Sequence, residues 1–303
     1  MPYVNLRGRK LALILTLSAA LGLLPLAILA VEWGRIAKEI VYVELAREVV
    51  VPWSITLYSL VGLSLPLALT PIAVVMWMNL RYTDALNRQL STFFKGTADG
   101  VRAGMPLTRA LEVTARAVGP PLEKEILDAV SMTSLGVSFE EALGRLTRRV
   151  PEPSLVRATS LLVVAHRSGG RVADVLDAAA QMYGVLNSYE DERRANMSPY
   201  VWVSYIALAV FLLTATIITT VFVEPLASVS MPGLITPPPP ALFKTIFYIS
   251  AYLQAIAGGL VSGKISRGTV KAGVIHVVVM LTIVVAYYAV QELYLSPLLT
   301  PKL

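Results

Sequence analysis

Hydrophobic and polar positions divide the 303-residue chain into two regimes. Five stretches, 11–31, 49–80, 195–223, 245–263 and 272–291, contain no Asp, Glu, Lys or Arg. A helix of about 20 apolar residues crosses a hydrocarbon core about 30 Å thick, so each stretch is predicted to span a membrane. The second and third are longer than a span requires and carry Pro66, Pro71 and Pro199, so part of each extends beyond the bilayer or tilts within it. Between them, 81–194 has ordinary polarity and helical periodicity. Phe139, Ala142, Leu143, Leu146 and Val150 recur at helical spacing, as do Val172, Val175, Leu176, Ala179, Tyr183 and Leu186. Both sets predict helices with one apolar face.

Six helices are predicted there, roughly 81–102, 105–118, 121–135, 138–150, 153–168 and 171–196. The unbroken apolar run 161–165 places its helix in the middle of the bundle. The expected fold is all-α and polytopic: two spans in 1–80, a cytoplasmic six-helix bundle in 81–196, and three spans in 197–303.

An internal repeat punctuates the bundle. GMPLTRAL, GVSFEEAL and GGRVADVL begin at Gly104, Gly136 and Gly169, with an apolar residue three positions on (Leu107, Phe139, Val172) and a leucine seven positions on (Leu111, Leu143, Leu176). The period suits helical hairpins, in which the glycine takes a left-handed turn after one helix and the next begins within a few residues. Ser138 and Glu141 form a capping box, and Pro106, Pro120–Pro121, Pro151 and Pro153 sit where proline is tolerated between helices.

Composition narrows the function classes. With no cysteine and two histidines, disulfides, thiolate metal centres, cysteine nucleophiles and His-rich metal sites are excluded. The net charge of +6 follows topology: with the N-terminus inside, inner segments carry 21 Lys and Arg and outer ones five. The positive-inside rule then puts the C-terminus outside, with anionic lipid as the partner of the basic ends. The first span follows Arg7, Arg9 and Lys10 but lacks a small-x-small cleavage site, so it is expected to stay as a helix. Residues 81–194 balance 15 basic against 14 acidic residues, which argues against nucleic acid.

No cofactor, metal or catalytic group is expected. Gly258–Ser266 approaches a phosphate-binding loop, but Ile265 stands where a hydroxyl must hold magnesium. Within it, Gly259 and Gly263 form a small-residue pair suited to close span packing. His276 is the one strongly ionisable group in a span; no Asp or Glu in any span can partner it. His166, beside Gly169–Gly170, reads as a helix C-terminal residue. Arg145, Arg148, Arg149, Arg167 and Arg171 are candidates for a basic docking surface, reversible at Arg148 and Arg149 without unfolding; a solvated mixed-charge face formed with Glu140, Glu141, Asp174 and Asp177 is the plainer reading. Pro237–Pro240 is expected to form a stiff polyproline spacer.

Two spans, a bundle built on GMPLTRAL, GVSFEEAL and HRSGGRVADVLDAAA, and further spans resemble the F-type inner-membrane platform proteins of type II secretion and type IV pilus systems. The single bundle is similar to the shorter Tad-type or archaeal members. The resemblance implies a non-enzymatic platform in the cytoplasmic membrane that couples a hexameric assembly ATPase to pilin-like subunits, paired with a second platform subunit or a further copy of itself. A transporter or channel subunit with a regulatory bundle is the rival reading. Five charge-free spans speak against it.

Overall fold

The computed structural model describes residues 8–46, 49–228 and 239–291. Its elements in chain order are helix α1 (Arg9–Val31), α2 (Trp33–Glu39), strands β1 (Val41–Ala46) and β2 (Val49–Trp53), then α3 (Ile55–Arg102), α4 (Leu107–Val118), α5 (Leu122–Ser134), α6 (Phe139–Arg149), α7 (Pro153–Arg167), α8 (Val172–Ile217), α9 (Glu224–Ser228), α10 (Pro240–Arg267) and α11 (Gly273–Val290). Five helical runs, one each around α1, α3, α8, α10 and α11, are long and apolar enough to cross a membrane. The architecture is all-α and polytopic. It has one addition: β1 and β2 pair antiparallel, Val41 opposite Trp53 and Val43 opposite Val51. The apolar stretch 49–80 therefore starts as strand and turns helical at Ile55, because its first residues are β-branched valines that fit an extended ribbon.

Two compact units emerge. One comprises Trp77–Asn196, the other Gly8–Met76 with the chain from Met197 onward. Residues expected as separate helices and spans are continuous: α3 and α8 each contribute to both units.

In the first unit the repeat supplies both turns and core. Gly104, Gly136 and Gly169 have φ of +87°, +89° and +61°, a left-handed backbone that only glycine adopts without cost, whereas Gly170 has an ordinary φ. The leucines seven positions on, Leu111, Leu143 and Leu176, are all fully buried in one cluster with Phe93, Phe94, Leu122, Leu162 and Tyr183. Burial of each leucine stabilises by about 1.5–3 kcal/mol. Phe94 stacks on Tyr183 at 5.5 Å, and the Tyr183 hydroxyl donates to the Ser154 carbonyl at 2.8 Å. The Glu141 N–H donates to Ser138 Oγ at 3.3 Å, capping α6, while the Glu141 carboxylate accepts from Arg145 at 2.8 Å.

Two expectations fail here. A run of five residues winds more than once round a helix, so 161–165 cannot all face inward. Leu162 and Ala165 are buried but Val164 is 54% exposed, and α7 lies at the bundle surface. Leu186 is exposed likewise, one turn beyond the point where α8 leaves the core.

In the second unit α10 and α11 pack closely through small residues. A Cβ on Gly259 would lie 2.6 Å from the Val277 backbone, and one on Gly263 would collide with Gly273. Gly268, in the left-handed region at φ +71°, ends α10 with its N–H bonded to the Lys264 carbonyl at 2.8 Å. Pro237 and Pro238 of the expected spacer lie outside the described residues; Pro239 is extended and Pro240 opens α10.

Candidate functional site

The five arginines singled out as a docking surface do not form one surface. Arg167 donates to Glu140 in the first turn of α6 at 3.1 Å, whereas Arg148 and Arg149 occupy its last turn. A helix of 11 residues is about 16 Å long, so the set is split between its two ends. Arg149 is a correction in kind. Its guanidinium reaches to α5, where it donates to the carboxylate of Glu125 (Nε at 3.2 Å) and to Asp128 at 2.7 Å. The Glu125 side chain is only 7% exposed and also accepts from the Tyr82 hydroxyl at 2.9 Å. Arg149 thus faces a buried carboxylate, and reversing it is expected to destabilise the bundle. Arg145 pairs along its own helix with Glu141, while Arg148 and Arg171 are exposed and carry no ion pair among the described residues.

Three carboxyls of the bundle are shifted by their surroundings. The Glu140 carboxyl is held below the usual carboxylate range by its own backbone N–H and then by Arg167. Glu112 is held down by hydrogen bonds from Arg109 and Arg116. Glu152, half-buried ahead of α7, is pushed up by desolvation, with Asp84 adding to the effect and Arg157 opposing it.

A second charged system had not been anticipated. Within the first unit α3 and α8 run antiparallel, cross-linked by Asp84–Arg194 at 3.2 Å, Arg88–Asp191 at 2.7 Å, Lys95–Asp177 at 3.3 Å and Arg102–Asp177. Ser91 donates to the Ala180 carbonyl at 3.0 Å between the ionic rungs. The signal was present in the sequence: Arg81, Arg88, Lys95 and Arg102 recur every seven residues and so keep to one side of α3. Gln89 gave no such signal. Its amide donates to the carbonyls of Val118, Gly119 and Pro120 and accepts from the Leu122 N–H at 3.1 Å, satisfying the α4–α5 turn from a neighbouring helix.

In the second unit a tyrosine holds a carbonyl that a proline leaves without a donor. Pro66 has no N–H, so the Gly62 carbonyl four residues earlier lacks its helical donor. The Tyr252 hydroxyl donates to it at 2.9 Å. Tyr248 donates to the Tyr58 carbonyl at 2.8 Å, an acceptor no proline exposes, since Gly62 stands four residues on. His276 pairs through Nδ1 with the Tyr205 hydroxyl at 2.9 Å. Gly258–Ser266 is helical throughout within α10, so its N–H groups serve the helix and form no phosphate cradle. His166 lies in the last turn of α7, its ring 4.8 Å from that of Phe139.

Five candidate spans and a bundle closed by glycine turns and paired charges define a polytopic helical membrane protein. Residues 93–220 match the family described as "Type II secretion system (T2SS), protein F". An uncharacterized protein of Methanocaldococcus jannaschii is 25% identical over 215 residues, which cover 70% of this chain and 35% of that protein. The chain therefore spans about a third of the length of the curated relative it matches. No solved structure matches it.

Proposed function

We propose that the chain is an assembly platform of a type II secretion-like or type IV pilus-like machine, coupling a hexameric cytoplasmic ATPase to the insertion or extrusion of pilin-like subunits. The observation that supports this reading is the protein F domain, whose matched residues 93–220 run from the bundle into the apolar part of α8. In this reading the bundle of 81–196 is cytoplasmic, the N-terminus is inside and the C-terminus outside. The α3–α8 charge ladder keeps the two connecting helices in register when the ATPase pulls on the bundle. A second platform subunit or a further copy completes the assembly, and anionic lipid surrounds the basic inner ends.

ATPase docking belongs to separate exposed arginines rather than to one continuous face: Arg148 and Arg171 carry no ion pair among the described residues, and Arg145 and Arg167 sit in exposed pairs with Glu141 and Glu140. The test is co-purification, in mild detergent at low salt, of the full-length chain with the assembly ATPase encoded near it. Association by the native chain, lost in R148E/R171E with an unchanged Tm, is expected. Failure of the native chain to bind rejects the ATPase partner. Undiminished binding by the double variant rejects the arginine contacts.

A further inference from the structure

The second unit contains a cavity of about 10 Å³ lined by Ile55, Ala215, Thr219, Lys244, Phe247, Tyr288 and Gln291, drawn from four helical segments. It sits beside a π-helical turn, Ile218–Val223, which closes with the Glu224 N–H bonded to the Thr219 carbonyl five residues back. Such widened turns open a gap in helix packing. Two polar atoms in this lining, Tyr288 Oη and Gln291 Oε1, are buried with no hydrogen-bond partner among the described residues, and Tyr288 is only 6% exposed.

We propose that one water molecule occupies this cavity and bridges Tyr288 and Gln291. The volume fits a single water and nothing larger. Polarity selects the same ligand. A bare cation is disfavoured by the Lys244 ammonium in the lining, which pairs with Glu224 at 3.0 Å, and an anion finds an acceptor at Gln291 Oε1. Water can donate to Gln291 Oε1 and accept from Tyr288, with the lone pairs of Thr219 Oγ left over because that hydroxyl donates to the Ala215 carbonyl at 2.7 Å. The molecule ties the π-helical turn to the end of α11.

The hydroxyl of Tyr288 has no hydrogen-bond partner among the described residues, which makes its removal diagnostic. If water is bound, Tyr288→Phe breaks a hydrogen bond and leaves the ring in place. If the cavity is dry, the same change deletes an unpaired polar atom. Thermal unfolding of the full-length chain in lipid nanodiscs is therefore expected to show a fall in Tm of about 2–4 °C for Tyr288→Phe and for Gln291→Leu. The double variant is expected to lose no more than either single one, because both act through one ligand. A Tm that is unchanged or raised in the single variants overturns the proposal, and additive losses overturn the shared ligand. Density for a water within hydrogen-bond distance of both atoms is expected in a high-resolution map, and an empty cavity there refutes it.

Discussion

Replacing Arg149 by alanine leaves the buried Glu125 carboxylate facing only the Tyr82 hydroxyl on one oxygen. A buried acceptor stripped of its partner costs about 1–3 kcal/mol, and more when charged. Arg148, one position earlier, is exposed and carries no ion pair among the described residues, so its alanine variant is expected to stay within about 0.5 kcal/mol of the native chain. Thermal unfolding of the full-length variants in detergent separates them; equal losses would disprove the distinction. The sequence presents the two as an identical Arg-Arg pair. Their difference depends on Glu125, 24 residues away, and on a helix crossing that no local pattern encodes.

Elements were legible where one residue type forces one backbone. Gly104, Gly136 and Gly169 mark turns because L side chains avoid that region of φ, and the leucine seven positions on falls two helical turns later on the inward face. Proline was a poorer guide: Pro66, Pro71 and Pro199 sit inside α3 and α8 without ending them. The small-residue pair in α10 yields a prediction at this scale. Gly259→Ala places a methyl group 2.6 Å from Val277 backbone atoms, which cannot yield as a side-chain tip can, and is expected to destabilise by about 1–3 kcal/mol. Gly258→Ala, whose methyl would meet Met280 Sδ at 3.5 Å, is the matched control and should be tolerated. Expression level and Tm in detergent report both, and equal behaviour of the two would refute the packing argument.

At the scale of the molecule, the bundle cluster around Phe93, Leu143 and Tyr183 and the membrane cluster around Tyr248, Met280 and Val284 are separate apolar cores. Leu143→Ala removes about 2–5 kcal/mol from the first. Hydrogen exchange is expected to rise across α4 to α7 and to stay unchanged in α10 and α11. Matching losses in both would show a single cooperative unit. The five apolar runs make the membrane class readable from the sequence, because a charge-free helix of span length has no polar face to turn towards water. The candidate site was read less well. Charge identity is visible in a sequence, but whether an arginine faces water or a buried carboxylate is settled only by packing.

The bond from Tyr252 to the Gly62 carbonyl has a consequence for biogenesis. Pro66 leaves that carbonyl without a donor inside α3, and the hydroxyl that satisfies it emerges from the ribosome 190 residues later. In a hydrocarbon environment no solvent fills the gap in the meantime. The carbonyl in the second span is thus satisfied only once the fourth is in place, so that a chain truncated before α10 lacks the hydroxyl that fills this polar notch.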